Sequence, residues 1–188
     1  YGEENRKKTP KNITFPMIKK GSSSVHIETV KKLVKKKFDH HFGSTENIWF
    51  PVKRDEVHKW CDEFIVSRFD LFGNYEDAID NRSDFLFHSG LSPFLNCGLI
   101  TPKEILEKIK DVESSIPMNS YEGFIRQIIG WREFVRGIYN HFDDRQQKEN
   151  FFDHKRTLND KWYNATTGIE PLDDAINQVY RLWYRSEE

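Results

Sequence analysis

The chain has 188 residues, of which 37% are hydrophobic and 31% charged, so it can bury a core and is not a disordered chain. Its 29 basic and 30 acidic residues give a net charge of -1. This balance excludes a global field that would draw the molecule onto nucleic acid, so any such binding must come from a local patch.

Residues 1–24 contain two prolines and a Gly-Ser-Ser-Ser run with little apolar periodicity, so they predict an extended lead-in. A basic amphipathic helix comes next, because apolar residues then recur at helical spacing and lysines cover the other side. The apolar residues are Val30, Leu33, Val34 and Phe38, and the lysines are Lys31, Lys32, Lys35, Lys36 and Lys37. The lysines form either a solvated charged face or a patch that contacts phosphates.

The next helix is predicted to begin near Asp55, because an apolar stripe repeats at helical spacing beyond it. The stripe consists of Val57, Trp60, Cys61, Phe64 and Ile65. We expect the cysteine to be an ordinary core residue. A turn is predicted at residues 72–74, where a glycine and an asparagine come after a phenylalanine.

Residues 88–93 read His-Ser-Gly-Leu-Ser-Pro and combine two hydroxyls, a glycine and a proline that can occupy the first position of a helix. Free backbone N–H groups at such a helix start can hold a phosphate. Ser-Pro helix starts are also common, so an ordinary helix start is the alternative. Farther along, Thr101, Pro102 and Glu104 predict a capped helix start with a capping box.

The longest helix is predicted from about Tyr121 to Tyr139. It carries Gly123, Gly130 and Gly137, whose spacing of seven places them nearly in one line. Each glycine inside a helix costs about 1 kcal/mol relative to alanine, so the line predicts a close neighbour, either a packed helix or a flat ligand. The polar residues of this helix cannot all face water, so we expect partly buried arginines that pair with a glutamate or a phosphate.

A last helix is predicted to open near Pro171, and no segment shows strand alternation, so the fold class is all-α. Cys61 and Cys97 are far apart and form no CxxC, which argues against a zinc site and a disulfide framework and favours a reduced, cytoplasmic setting. No apolar run approaches the roughly 20 residues needed to span a bilayer. Because the chain begins at Tyr1, we expect a piece of a longer protein.

Five segments, taken in order, resemble the deoxyribodipyrimidine photolyase-related family of the photolyase/cryptochrome superfamily. They are residues 4–8 (ENRKK), 72–78 (FGNYEDA), 86–99 (LFHSGLSPFLNCGL), 122–139 (EGFIRQIIGWREFVRGIY) and 167–176 (TGIEPLDDAI). The match spans nearly the whole chain, and the combination of the Ser-Pro-Phe-Leu and Trp-Arg-Glu-Phe elements is the specific part. The resemblance implies that residues 25–188 form the helical FAD-binding domain, cut short on its C-terminal side.

In that superfamily this region cradles a folded FAD, and the resemblance assigns site residues by position. One group would surround the phosphates and ribityl chain: Tyr75, His88, Ser89, Gly90, Leu91 and Ser92. A second group would line the cavity: Gln127, Trp131, Arg132 and Phe134. Arg132 would favour the pyrophosphate, and Trp131, the residue expected to be catalytic, lies where relatives contact a flipped DNA lesion.

The departures from the family pattern limit what we expect of this chain. An N-terminal antenna domain and the later helices that complete the flavin pocket are missing, so we expect the isolated chain to be inactive or to bind flavin weakly. Many relatives hold an iron–sulfur cluster on cysteines, the first of which should fall near residues 170–172. This sequence has no cysteine there, so no cluster is expected.

The resemblance implies that the full-length protein uses reduced, light-excited FAD to repair damaged DNA, of the (6-4) photoproduct kind, or signals as a cryptochrome. A rival interpretation is a nonenzymatic helical module that binds nucleic acid through Lys31 to Lys37 or binds a protein. A third is a structural fragment whose exposed half-site causes self-association. None of these involves a membrane.

Overall fold

The computed structural model describes residues 5–19, 21–41, 45, 48 and 50–184, and the side chains as far as residue 179. Residue 4 of the first family-like segment therefore lies outside the described residues. The helices are α1 Val25–Phe38, α2 Arg54–Ser67, α3 Phe69–Tyr75, α4 Ser92–Asn96, α5 Pro102–Lys110, α6 Met118–Ile125, α7 Trp131–Lys148, α8 Lys161–Asn164 and α9 Glu170–Tyr184. A 3-10 turn occupies Glu113–Ser115 and a π-helical segment Arg126–Gly130. The described part contains no strand, which confirms the all-α prediction.

The chain divides into two compact units. Unit 1 comprises Tyr1–Lys20 and Pro51–Gln147, and unit 2 comprises Gly21–Phe50 and Lys148–Glu188. The division into a lead-in of residues 1–24 and a flavin-binding domain of residues 25–188 stays a prediction. No helix of the described residues is long and apolar enough to cross a membrane.

The core of unit 1 is an aromatic cluster formed by α2, α3 and α6. The Phe124 ring of α6 lies 4.8 Å from Phe64, 5.3 Å from Phe69 and 5.4 Å from Phe72, measured between ring centroids. These pairs are tilted or edge-on, the arrangements that aromatic quadrupoles favour. The predicted stripe of α2 is confirmed for Val57, Trp60, Cys61 and Phe64, which are all buried.

The predicted turn at residues 72–74 is wrong, because Gly73 lies inside α3. A Cβ at this position would lie 2.5 Å from the backbone carbon of Asn119 and 2.6 Å from the backbone nitrogen of Ser120. The Gly73 N–H donates to Ser120 Oγ at 2.8 Å, and the Ser120 hydroxyl donates to the Asp70 carbonyl at 2.8 Å. This glycine therefore lets α6 approach α3 and does not turn the chain.

The start of α5 confirms the predicted capping box. The Thr101 side chain accepts from the Glu104 N–H at 3.3 Å, and Glu104 accepts from the Thr101 N–H at 2.9 Å. Arg54 of α2 pairs with the same glutamate and donates to the Leu99 carbonyl at 3.1 Å. These contacts hold α5 against α2.

The single long helix predicted from Tyr121 to Tyr139 is wrong in its bounds and its regularity. Helix α6 begins at Met118, and the π-helical segment separates it from α7. A π-helical segment places an extra residue in the turn and rotates the helix beyond it, so a spacing of seven no longer gives one line.

Only one of the three aligned glycines has the close neighbour that the pattern predicted. A Cβ at Gly123 would lie 3.0 Å from Glu76 Oε2, whereas one at Gly130 would meet only the Arg126 Cβ at 3.8 Å, and Gly137 has nothing within 4 Å. The expected partly buried arginine that pairs with a glutamate is found at Arg126, whose Nε lies 3.0 Å from Glu122 Oε1, whereas Arg132 and Arg136 are exposed. Helix α7 contributes no buried residue in the described structure.

Unit 2 contains α1, α8 and α9. Helix α1 lies where the basic helix was predicted, with Ser24 Oγ accepting from the Ile27 N–H at 3.3 Å. Its predicted apolar face is wrong, because Val30, Leu33 and Phe38 are exposed and the buried residue is Ile27. Helix α9 begins one residue before the predicted Pro171, and Asp173 in its first turns accepts from the Thr167 hydroxyl at 2.6 Å. That hydrogen bond is the main reason that the pKa of Asp173 is lowered.

Candidate functional site

Five residues of the first predicted group, His88 to Ser92, form the end of the loop between α3 and α4 and the first residue of α4, whereas Tyr75 ends α3; α2 fixes this loop. The Trp60 indole N–H donates to the Ser89 carbonyl at 2.7 Å, and the His88 N–H donates to the Phe85 carbonyl at 2.8 Å. Gly90 has φ +64, and a Cβ there would lie 3.1 Å from the Phe85 ring and 3.3 Å from Trp60. The loop therefore requires glycine both for its backbone conformation and for space.

The side chains of this loop differ in how far they are buried. Ser92 is exposed and begins α4, which has no side-chain cap. Leu91 is only 1% exposed and packs in the core. Its role beside a ligand stays a prediction, and the structure gives it a packing role.

His88 is partly buried, and its ring stands edge-on to Phe72 at 6.0 Å between centroids. Burial lowers the pKa of His88, while the charge of Asp77 and a hydrogen bond with the backbone of Glu76 act in the opposite direction. Because its pKa lies below the usual value, the imidazole is neutral at pH 7.

Tyr75 is buried at the end of α3, where it stacks on Phe87 at 5.3 Å with an interplanar angle of 29°. The two rings and Leu86 form a small cluster, against which Ile13 and Phe15 pack. In this arrangement Tyr75 supports the base of the His88–Ser92 loop. Its contact with a ligand stays a prediction.

The second group lies on the π-helical segment and the first turn of α7. Trp131 and Phe134 are 58% and 59% exposed, and their rings meet edge to face at 5.8 Å. The Arg132 Nη1 donates to the Ile128 carbonyl at 2.9 Å, which fixes an exposed guanidinium beside this aromatic pair. Gln127 is partly buried within the π-helical segment.

Both groups belong to unit 1 and are connected through its aromatic core. His88 contacts Phe72, Phe72 contacts Phe124, and α6 continues from Phe124 into the π-helical segment. Within the described residues, no hydrogen bond or ring contact joins Trp131, Arg132 or Phe134 directly to the His88–Ser92 loop. The structure thus assembles two half-sites and links them indirectly.

Two polar side chains near these groups were not found from the sequence. Glu76 Oε2 is buried beside Gly123 with no hydrogen-bond partner in the described structure. Burial first, and then the charges of Asp77 and Glu122, raise the pKa of Glu76. In the sequence, Glu76 is an acidic residue next to another acidic residue, Asp77, and this pattern is too common to indicate a site.

Arg68 is the second such residue and is 2% exposed. Its Nε and Nη1 atoms are buried without hydrogen-bond partners in the described structure, and its Cζ lies 5.8 Å from the centroid of the Phe64 ring. Burial lowers the pKa of this arginine, while Glu63 raises it. Nothing in the local sequence distinguishes it from an exposed arginine at a helix junction.

The residues fit a flat, anionic ligand in part. The exposed Trp131 and Phe134 rings offer apolar surface, and the Arg132 guanidinium and the Ser92 hydroxyl offer donors to a phosphate. Tyr75 and Leu91 are covered by protein, so they fit a supporting role. The described residues contain no group of three or more His, Cys, Asp or Glu side chains that could hold a metal ion.

Comparison with known proteins identifies relatives of this chain. A family model described as deoxyribodipyrimidine photo-lyase-related protein matches residues 1–50. The uncharacterized protein R853 of Acanthamoeba polyphaga mimivirus is 42% identical over 110 residues, which cover 57% of this chain and 84% of that protein. A (6-4) photolyase of Agrobacterium fabrum is 34% identical over 160 residues, which cover 84% of this chain and 31% of that protein.

These matches agree with the family-like segments, since the family model covers the first of them and the identity to the photolyase extends over most of the chain. The chain spans about a third of the length of that photolyase, with 31% of it covered. On these grounds the chain is similar to photolyase-related proteins over most of its length.

Proposed function

We propose that the chain forms part of the FAD-binding helical region of a light-dependent DNA repair flavoprotein that acts on (6-4) photoproducts. The observation that carries this proposal is the 34% identity over 160 residues to a protein named (6-4) photolyase. Because the chain covers 31% of that protein, repair belongs to the longer protein, and this chain contributes one side of the cofactor site.

The His88–Ser92 loop and Arg132 would hold the anionic part of the cofactor. Neutral His88 adds no charge, and its one N–H is engaged by the backbone of Glu76, so in this loop the exposed Ser92 hydroxyl can donate to a phosphate. The exposed guanidinium of Arg132 is already oriented by its bond to the Ile128 carbonyl, so less rotamer freedom is lost when it meets a phosphate.

The Trp131–Phe134 pair would supply the apolar face of the site and exclude water from it. A reduced, light-excited FAD bound there would supply the electron that the photoproduct accepts. Trp131 would contact a lesion turned out of the duplex, because a large exposed ring offers a base a stacking surface.

A second candidate function, a nucleic-acid binding module, is favoured by the lysines of α1. Lys32, Lys35, Lys36 and Lys37 are exposed along this helix. Such a patch would bind phosphates without regard to damage, and its binding would weaken steeply with salt.

The cofactor site is tested by titrating FAD into Arg132→Ala and a control, Arg136→Ala. Arg136 is an exposed arginine of the same helix that pairs with Glu133 at 3.6 Å. Loss of a charge-assisted contact to phosphate should weaken FAD binding about tenfold in the first variant and leave the second near wild type. Equal affinities of the two variants would contradict the assignment of Arg132.

The lesion contact is tested by comparing Trp131→Ala with Trp162→Ala, a tryptophan of α8 that is 44% exposed. With FAD present, the wild-type chain should bind an oligonucleotide with a (6-4) photoproduct more tightly than an undamaged one. Loss of stacking should reduce this preference about tenfold in Trp131→Ala only. A wild-type chain that binds both oligonucleotides equally, with a steep salt dependence, would favour the binding-module function.

A further inference from the structure

Residues 5–19, which we call the strap, pack on the rest of unit 1 and cover the cluster that supports the candidate site. Ile13 and Phe15 of the strap pack against the cluster of Tyr75, Leu86 and Phe87. At the start of the strap, the Lys7 N–H donates to the Asn74 carbonyl at 2.8 Å. The strap therefore touches the base of the predicted flavin loop while lying about 70 residues before it in the sequence.

Several polar contacts hold the strap, among them those of Arg6 with Asp77 and of Lys19 with Glu63, and one arginine, Arg82, binds two of its backbone carbonyls. Arg82 Nη1 donates to the Lys11 carbonyl at 2.8 Å, and its Nη2 donates to the Pro10 carbonyl at 3.1 Å. The Nε of the same guanidinium donates to Asp80 Oδ1 at 2.9 Å. Only a planar fork of donors can serve the two carbonyls and the carboxylate together.

Asp80 holds both this arginine and the strap. The Thr9 hydroxyl donates to its Oδ2 at 2.5 Å, and the Asp80 side chain is only 9% exposed. Hydrogen bonds from Arg82 first, and from Thr9 next, hold the pKa of Asp80 well below its usual range. The carboxylate thus stays ionised at neutral pH and keeps the guanidinium in place.

A continuous line of ring contacts leads from this clamp to the site. The Arg82 Cζ lies 5.1 Å from the centroid of Phe15, and Phe15 lies 5.7 Å from Phe87. Phe87 in turn stacks on Tyr75 and directly precedes His88. Displacement of the strap would therefore uncover the Phe87–Tyr75 stack on which the His88–Ser92 loop rests.

We propose that Arg82 is a positioning residue for the candidate flavin site, because it clamps the strap over the Phe87–Tyr75 stack and thereby fixes the His88–Ser92 loop. The effect on cofactor binding rests on the proposed function, whereas the effect on the loop does not. The two parts can therefore fail separately.

The test compares Arg82→Ala with Arg54→Ala in the whole chain. Arg54 is a matched control, since it too pairs with a carboxylate and donates to a backbone carbonyl, but it holds α5 and not the strap. Hydrogen exchange of peptides covering residues 5–19 and 85–92 reports strap and loop independently of any cofactor. FAD titration reports the site.

In Arg82→Ala, the Lys7 and His88 amides should exchange about tenfold faster, and FAD should bind about tenfold more weakly. Arg54→Ala should match wild type in all three measurements. If residues 5–19 exchange at the wild-type rate in Arg82→Ala, Arg82 does not hold the strap. If the strap exchanges faster in Arg82→Ala but the exchange of residues 85–92 and the FAD affinity do not change, Arg82 does not position the site.

If wild type binds no FAD, the proposed function fails, and the exchange of residues 85–92 alone decides the positioning role. Arg82→Lys guards against a variant that merely unfolds. Lysine keeps the charge beside Asp80 but cannot reach both strap carbonyls at once, so strap exchange should lie between wild type and Arg82→Ala. Wild-type exchange in Arg82→Lys would show that the fork to the carbonyls does not hold the strap.

Discussion

Replacement of Gly73 by alanine should destabilise unit 1, although alanine is the better helix former. The added Cβ would lie 2.5–2.6 Å from backbone atoms of Asn119 and Ser120, which cannot rotate away as a side chain can. Overpacking of this kind costs about 1–3 kcal/mol, while the helix propensity of alanine returns about 1 kcal/mol. Separating α3 from α6 would also stretch the hydrogen bond between the Gly73 N–H and Ser120 Oγ. The difference of about 0–2 kcal/mol, together with about 1 kcal/mol for the weakened hydrogen bond, gives an expected net loss of about 1–3 kcal/mol.

Gly137→Ala is the matched control, because this glycine lies in α7 with nothing within 4 Å of its Cβ position. There only the helix propensity acts, so the variant should gain up to about 1 kcal/mol. Urea unfolding followed by circular dichroism measures both free energies of unfolding, and a thermal scan should show melting shifts of about 2–4 °C per kcal/mol. A Gly73→Ala variant as stable as wild type would refute the close approach of α3 and α6.

Two further predictions concern the core. Phe124→Ala should lower the free energy of unfolding by about 3–5 kcal/mol, because the Phe124 ring is 1% exposed and contacts three other phenylalanines. The control is Phe151→Ala, whose ring is 79% exposed. In the same urea titration it should change the free energy of unfolding by less than about 0.5 kcal/mol. Burial raises the pKa of Cys61 from 9.0 to about 12, so a thiol reagent at pH 8 should modify exposed Cys97 and spare Cys61 until the protein unfolds. Because the pKa of Cys61 is higher in the folded state than in the unfolded state, its titration contributes stability that is fully present below pH 9.0. The free energy of unfolding should therefore fall as the pH rises from 9.0 towards 12, which urea titrations across this range would show. Rapid modification of both thiols in the native protein would contradict the burial of Cys61.

Local signals in the sequence predicted the elements whose causes are local. The capping box at Thr101 and Glu104 was predicted from three residues, and the structure confirms it. The apolar stripe from Val57 to Phe64 likewise required only helical spacing. Family resemblance, and not periodicity, supplied the site residues, and their ligand contacts stay predictions.

The errors occurred where a distant segment determines the local structure. Gly73 looks like a turn glycine until α6, more than 40 residues later, is placed against it. The regular spacing of Gly123, Gly130 and Gly137 gave no sign of the π-helical segment that interrupts it. The strap was predicted only as an extended lead-in, because the carbonyls that Arg82 binds lie 71 and 72 residues away.

The visible absorption spectrum of the purified chain with added FAD, followed by release of the bound cofactor on denaturation, tests the central claim most directly. We predict oxidised-flavin bands with resolved vibronic structure and FAD in the released fraction, both weakened in Arg132→Ala and retained in Arg136→Ala. A spectrum identical to that of free FAD, with no FAD retained by the wild-type protein, would contradict the claim that this chain carries part of a flavin site.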